Sequence, residues 1–405
     1  MGSREKTCME PLFTRNFVLC TLVSFCFTTV FFMLYTAMAG YSSDVLGVGS
    51  TVSGLVASIF IAGDLIARLA VGNRIRSFGP RRMSLICMSV GTGITLLYFV
   101  SDSVAAMCIV RFVHGMTYGA AASAINTMVA ESLPVTRRGE GLGYFMLSYS
   151  FASAIGSLIC MYLQNSGSYD EIFAVSAAAS AAAAVLSAAL TESRRAGAQN
   201  VRRTGGPRIS DYIERSSLVM SLVAFVMFFS YSGVLTFIAP YSRETGLTDY
   251  STVFFLVLSI GTIICRLFLG RIYDRHGENS ALIPFLALYV VAMVMLGTVS
   301  SGAELLVSAF LIGIMIAMLS SVAQAVIIRK APCERYGVAV STYNVFVDLS
   351  YAVGPVVNGF SIGILGYGDN YVLMAAVGLL GLLIYLGLHG IPVSMARRRG
   401  EGADA

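Results

Sequence analysis

A small set of ionisable residues lies inside long apolar stretches of the sequence, where a charge is costly unless it has a role or a partner. They include Asp64, Arg68, Arg111, His114, Arg266 and Asp348. Asp64 and Arg68 are four residues apart, so a helix places them on one face and allows an ion pair. If a second carboxylate shared Arg68, one negative charge would be in excess and could take up a proton. Histidine changes its charge near physiological pH, so His114 adds a second candidate for proton transfer.

The rest of the chain explains why these charges stand out. It has 405 residues, of which 56% are hydrophobic and only 12% are charged. A soluble chain carries about 25% charged residues, so this sequence cannot cover a water-facing surface of the usual kind. This composition excludes a soluble enzyme, a disordered regulator and a fibrous protein. It predicts an all-α membrane protein that crosses the bilayer several times.

Apolar runs predict twelve transmembrane helices, called helix 1 to helix 12 in chain order: 17–40, 52–74, 83–100, 104–130, 142–164, 171–191, 217–241, 251–272, 281–300, 303–328, 338–365 and 371–391. They divide into an N-terminal six-helix bundle (1–192), a basic cytoplasmic linker (193–215), a C-terminal six-helix bundle (216–392) and a cytoplasmic tail (393–405). The first run is longer than the apolar region of a signal peptide, which predicts an uncleaved first helix.

The basic residues predict the orientation. With both termini in the cytoplasm, 23 of the 27 lysines and arginines lie in cytoplasmic segments and one, Arg243, lies outside. Short cytoplasmic loops are enriched in basic residues, so this distribution fixes the topology. The external loops instead carry acids: Asp44, Asp102, Asp170, Asp249 and Asp369. The net charge of +5 is therefore a topology signal and predicts no nucleic-acid partner.

The sequence lacks the motifs that nucleotide binding, metal binding and hydrolysis require. Neither lysine stands in the Gly-Lys-Ser/Thr sequence of a phosphate-binding loop, and the three histidines are far apart. The stretch from Gly359 to Gly363 fits G-x-S-x-G, but it lies in a predicted membrane helix, where a nucleophile elbow cannot form. We therefore expect no enzyme activity, no metal, no cofactor and no nucleotide.

The chain contains an internal repeat with an offset of 198 residues. From 63 to 79, six of 17 positions are identical to their counterparts, among them Gly63 with Gly261 and Arg68 with Arg266. The same offset pairs Gly115 with Gly313 and continues without gaps. Two six-helix halves in parallel topology are therefore expected, related by an axis along the membrane normal, with a substrate site between them.

These motifs resemble those of the major facilitator superfamily over essentially the whole length. Gly270-Arg-Ile-Tyr-Asp274-Arg275-His-Gly277 is similar to the family's G-x-L-x-D-R-x-G loop, while Arg76 replaces the aspartate in the first half. Arg111-x-x-His114-Gly115 is similar to its R-x-x-Q-G motif. Among known groups the chain resembles bacterial drug/proton antiporter-type exporters of the cytoplasmic membrane. It departs from them in helix 5, where Gly156 is followed by serine, and carries the proline form, Gly354-Pro355, in helix 11.

The resemblance places helices 2 and 11 side by side, which predicts an Asp64–Arg68–Asp348 cluster that couples protons to transport. The alternative is a static network that neutralises Arg68. In this family the arginine of helix 4 is linked to proton coupling, which implies the same for Arg111 and suggests His114 beside it. The alternatives are a structural hydrogen bond from Arg111 to helix 1 or 5, and a neutral packed ring for His114.

Two further expectations follow from the resemblance. Asp274 with Arg138, and Arg76 with Glu334, are expected to form weak conformational latches on the cytoplasmic side. A cavity lined by helices 1, 4, 7 and 10 is expected to hold the substrate, with these candidates: Phe25, Thr28, Phe32, Tyr35, Tyr118, Asn126, Phe228, Phe229, Tyr231, Gln324 and Asn344. For any single aromatic residue, the alternative is packing against lipid or a neighbouring helix.

The resulting hypothesis is a monomeric secondary transporter that exports a small amphipathic or aromatic compound in exchange for protons. Its partners would be this solute, protons and the lipid bilayer. One alternative is an uptake symporter or facilitator on the same fold. Another is a membrane receptor or scaffold that transports nothing.

Overall fold

The computed structural model describes residues 12–71, 75–134, 137–191, 213–332, 335–392 and 395, without the side chains of 76–77, 138–140, 267, 269–276 and 337. In this part of the chain twelve helices are long and apolar enough to cross a membrane, and there are no strands. They are α1 Arg15–Asp44, α2 Ser50–Val71, α3 Pro80–Leu97, α4 Val104–Ser132, α5 Arg138–Asn165, α6 Tyr169–Ala188, α7 Leu218–Glu244, α8 Thr248–Arg266, α9 Gly277–Gly297, α10 Gly302–Lys330, α11 Tyr336–Leu365 and α12 Tyr367–Tyr385. The twelve-helix prediction is confirmed, and each predicted span overlaps one of these helices.

The helix boundaries repeat between the two halves. Ser103 caps α4, and its hydroxyl accepts a hydrogen bond from the backbone of the first turn; Ser301, 198 residues later, does the same for α10. Gly79 (φ 93°) and Gly277 (φ 78°) occupy equivalent positions, in a backbone conformation that favours glycine. At Gly277 helical backbone runs on from α8 into α9 with a kink, where the sequence predicted two separate spans.

Close helix packing repeats with the same offset. A side chain at Gly63 would overlap the Phe112 carbonyl of α4, and one at Gly261 would overlap the Phe310 carbonyl of α10. In the reverse direction, Gly115 lies against Phe60 in the first half. Small residues let membrane helices approach this closely. The two halves therefore share one packing arrangement, as the internal repeat predicted.

Several contacts join the two halves at one end of the bundle, where α1 ends and α2 begins. Here Gly54 lies against the Pro355 carbonyl and the Ser50 hydroxyl donates to the Gly359 carbonyl at 2.6 Å. Asn165 of α5 donates to Thr252 of α8 at 2.7 Å. We call this the closed end. Towards the opposite end, beyond Asp348, the hydrogen bonds and ion pairs between described residues stay within one half or join the second half to linker residues 213–215.

Candidate functional site

Arg68 lies between two carboxylates at the junction of the halves. Its Nε is 2.6 Å from Asp64 Oδ1 within α2, and its Nη1 is 3.6 Å from Asp348 Oδ2 on α11. The Asp64 side chain is 5% exposed, whereas those of Arg68 and Asp348 are 31% and 23% exposed. Asp64 can be buried because Gly119 of α4 leaves room for its carboxylate. The structure thus brings together the three residues that the sequence grouped; their coupling role stays a prediction.

The cluster carries a net charge of −1 when all three groups are ionised. Asp64 is held by the shorter contact on the same helix, so its position does not depend on the second half. Asp348 is the more exposed carboxylate, and it is bound across the interface. Protonating Asp348 would remove its charge attraction to Arg68 while leaving the Asp64 pair intact. Asp348 is therefore the member of the cluster whose charge bears on the contact between the halves.

Arg111 and His114 lie inside the first half, away from this cluster. The Arg111 guanidinium donates to the Val56 and Ala57 carbonyls at 3.2 and 2.6 Å and lies 4.8 Å from the Phe60 ring centroid. These partners belong to α2, so the structural alternative that named helix 1 or 5 was wrong about the helix. A backbone carbonyl in the bilayer has few competing donors, which makes it a suitable partner for a buried arginine.

His114 packs as a buried ring next to Arg111. Its Nδ1 is 3.1 Å from the Tyr98 hydroxyl, and that hydroxyl also interacts with the Arg111 guanidinium. Beside it lies a cavity of about 20 Å³ that has room for about one water molecule. Its lining includes the polar side chains of Thr117 and Ser180. The buried position of the His114 ring fits the packed-ring alternative. The cavity beside it could hold a water molecule that exchanges a proton with the ring, and this role stays a prediction.

Aromatic rings form a continuous group across the junction of the halves. The Tyr35 and Tyr351 ring centroids are 6.1 Å apart, and Tyr351 lies 5.8 Å from Phe228 and 6.4 Å from Tyr231. Tyr35, Phe228 and Tyr231 were among the predicted cavity residues, and all three are buried. Tyr351 was not predicted, because nothing in its spacing separates it from the other tyrosines of helix 11.

In the first half, Tyr118 and Phe32 join the same region. Tyr118 stacks edge-on with Phe27 at 5.0 Å, and Phe32 lies 5.6 Å from Tyr149 of α5. Tyr149, which was not among the predicted residues, lies near Tyr118 and interacts electrostatically with Asp348. Thr28 is fully buried close to Tyr118. Two of these aromatic residues, Tyr118 and Tyr149, therefore lie next to the charge cluster.

The other predicted cavity residues are more peripheral. Phe25, Phe229 and Gln324 are partly buried, and the ring of Phe229 faces Phe225 of its own helix at 6.1 Å. Asn126 and Asn344 are exposed. The structure does not bring these five residues into the central aromatic group.

Pro355 explains one contact between the halves. Proline has no N–H, so the carbonyl four residues earlier, on Tyr351, has no helical donor. The Tyr35 hydroxyl of α1 donates to this carbonyl at 3.0 Å. The tyrosine of one half thus satisfies a carbonyl that proline leaves open in the other.

An ion pair seals the closed end. Arg243, at the end of α7, lies 2.5 Å from Asp44 Oδ2, at the end of α1. The Tyr169 hydroxyl donates to the same oxygen at 2.6 Å. In the sequence, Asp44 and Arg243 were only signals of topology. A positional signal was present, because the 198-residue offset brings Asp44 next to Arg243 in the alignment of the halves.

The predicted latches lie outside the described part of the chain. The side chains of Arg76, Arg138 and Asp274 are undescribed, as is Glu334 altogether. These pairs therefore stay predictions. The same holds for the linker 193–215, of which residues 213–215 are described.

Comparisons with known proteins agree with this architecture. The sequence pattern of the Major Facilitator Superfamily matches residues 20–355 and 221–403. An uncharacterised MFS-type transporter of Methanocaldococcus jannaschii is 22% identical, over 89% of this chain and 95% of its own. Multidrug resistance protein MdtG of Yersinia enterocolitica is 23% identical, over 82% of this chain and 81% of its own.

Solved structures show the same fold at low sequence identity. A D-xylose-proton symporter has a TM-score of 0.76 at 15% identity and covers 92% of this chain and 96% of its own. A variant of the nucleoside transporter NupG also has a TM-score of 0.76, at 12% identity, covering 92% of this chain and 100% of its own. With its twelve apolar helices, the protein is a multi-pass integral protein of the cytoplasmic membrane. The chain belongs to the Major Facilitator Superfamily.

Proposed function

We propose that this transporter exports small amphipathic or aromatic compounds in exchange for protons, by alternating access of a site between its halves. The observation that carries the proposal is Arg68, which two carboxylates share at the α2–α11 junction. The proton affinity of a group at that point depends on the relative position of the halves, so proton binding and conformational change are linked.

The aromatic group supports the type of substrate. Rings from α1, α4, α7 and α11 present apolar faces, and several end in a hydroxyl that can fix the orientation of a ligand. An amphipathic solute with a flat apolar part would be complementary to this surface. MdtG, named as a multidrug resistance protein, supports the direction of export.

The closed end bears on the transport cycle. If both termini are cytoplasmic, as the distribution of basic residues predicts, the closed end faces outward and the structure represents an inward-facing state. The Asp44–Arg243 pair would then be an external gate. Export requires this gate to open after the substrate has bound from the cytoplasm.

Transport by purified protein in sealed vesicles tests the proposal. Ligands would first be found by thermal shift against a panel of drugs and metabolites, since a compound that binds the folded state stabilises it. Their flux would then be measured under imposed pH gradients of both signs. Exchange of substrate against protons supports export. Movement of both in the same direction would instead support an uptake symporter, as the named function of the D-xylose-proton symporter suggests. Binding without any flux would contradict both and favour a receptor.

A further inference from the structure

Arg266 is an intramembrane arginine to which the proposed function assigns no role. It lies in α8, and its Nε is buried without a hydrogen-bond partner among the described residues. A buried donor of this kind is uncommon, and it indicates a missing partner. The arginine is also costly to place in a membrane without a counter-charge.

The internal repeat supplies a matched comparison, because Arg266 occupies the position of Arg68 in the other half. The glycine contacts that pack α2 on α4 are reproduced between α8 and α10, so the two arginines have equivalent settings. Their neighbours differ. Thr262 stands where the first half has Asp64, and Ser150 of α5 stands where the second half has Asp348.

Neither replacement compensates for the charge of Arg266. The Thr262 hydroxyl donates to the Leu258 and Gly313 carbonyls at 3.1 and 3.0 Å, and the Ser150 hydroxyl donates to the Met146 carbonyl at 3.4 Å. Both hydroxyls thus donate their hydrogen bonds to backbone carbonyls. Arg68 has two carboxylates within 4 Å, whereas Arg266 has none in the part of the chain that the structure describes.

We propose that Arg266 is an anion-binding subsite of the transport site, which takes the carboxylate, sulfonate or phosphate group of an amphipathic organic anion. The planar guanidinium binds such groups through two parallel hydrogen bonds, and a low-dielectric setting strengthens them. The substrate would supply the counter-charge that the protein supplies to Arg68. This assignment rests on the proposed transport function and specifies its substrate class.

The position of Tyr149 supports a ligand with an aromatic body. It precedes Ser150 on α5 and interacts electrostatically with Arg68 of its own half and with Asp348 of the other half. Because α5 contacts α8, an anion held at Arg266 would have this aromatic residue on the neighbouring helix. One end of the ligand would then be bound by Arg266, and its body would lie near the carboxylate that takes up the proton.

Binding by matched ligand pairs tests the inference. Aromatic carboxylic acids, each with its uncharged primary amide, would be titrated against purified protein in lipid-free detergent and followed by thermal shift. We expect the acids to bind at least about tenfold more tightly than their amides. Arg266→Gln should abolish this difference, and Arg266→Lys should retain part of it, because the charge remains without the planar fork. Arg215→Gln, at an exposed arginine, is the matched control and should behave as wild type.

The outcomes separate this inference from the proposed function. Equal binding of acids and amides by the wild type, or a preference for acids that survives in a folded Arg266→Gln protein, would overturn the anion subsite. So would stabilisation by anionic lipid alone, with none by the soluble acids. Proton-driven flux in vesicles is the independent measurement, since transport of uncharged compounds without any preference for acids would refute only the subsite. If no compound shows proton-driven flux, the proposed function fails while the binding data still decide the subsite.

Discussion

Replacing Asp348 by asparagine should uncouple transport from protons. The Arg68 Nη1 and Asp348 Oδ2 atoms are 3.6 Å apart. At an effective dielectric constant of about 20, two unit charges at this distance attract by about 4–5 kcal/mol. Because the two side chains are 31% and 23% exposed, solvent screening lowers this to about 1–2 kcal/mol. Such an energy changes an equilibrium between conformations by a factor of roughly 5 to 30.

Two assays in sealed vesicles separate coupling from binding. The first is substrate flux driven by an imposed pH gradient, and the second is exchange of labelled for unlabelled substrate at equal pH. We expect Asp348→Asn to lose the stimulation by the gradient and to keep exchange within about threefold of wild type, since asparagine preserves the shape of the site. The extent of exchange should also lose its dependence on pH.

Asp369→Asn is the matched control, because this aspartate is exposed in the first turn of α12 and has no place in the cluster. It should behave as wild type in both assays. A well-expressed Asp348→Asn protein with undiminished gradient stimulation would refute the reasoning. The charge network would then be static, which is the alternative that the sequence left open.

Three further predictions concern the gate and the packing. Asp44→Asn and Arg243→Gln should each favour opening of the closed end, measured by the accessibility of an introduced cysteine. A double-mutant cycle should give a coupling energy of about 0.5–1 kcal/mol. Additive effects would show that the ion pair does not stabilise the closed end. Arg111→Gln should lower the melting temperature through the loss of charged hydrogen bonds worth about 1.5–3 kcal/mol each, and an unchanged value would contradict its structural role. Gly115→Ala should abolish or severely destabilise folding because the new methyl group overlaps backbone, whereas Gly93→Ala, which meets open space, should leave the folded yield unchanged in size-exclusion profiles. Equal yields would mean that α2 and α4 can move apart freely.

The fold could be predicted because bilayer thickness sets the length of each apolar run. The internal repeat also shows each helix of the first half again in the second half. The Asp64–Arg68–Asp348 cluster was also accessible, since charged residues in apolar stretches are few and their helices are neighbours in the family the chain resembles. The kink at Gly277 was less visible. The sequence has a glycine there, but a glycine is compatible both with a loop between two helices and with a sharp bend in a continuous helix.

The contacts of Arg111 and Tyr351 show why the rest of the site was inaccessible. Arg111 binds backbone carbonyls of α2, and backbone atoms carry no sequence signal, so the side chain could not reveal its partner. Tyr351 is one of 20 tyrosines, and only packing across the junction distinguishes it. The 198-residue offset aligns Asp44 with the neighbour of Arg243, but only the structure shows that the ends of α1 and α7 are in contact.

The hydrogen bond from Tyr35 to the Tyr351 carbonyl has a consequence for the opening of the closed end. When the halves separate at the closed end, this carbonyl loses its donor, and Pro355 prevents α11 from supplying another. A bare carbonyl in the membrane interior costs several kcal/mol unless something hydrates it. Opening therefore has to admit water to the Tyr351 level or place a substrate donor there. The rate of opening should then depend on how readily water enters the gap. A ligand hydroxyl or amine at that level would donate to the carbonyl and lower the barrier to opening.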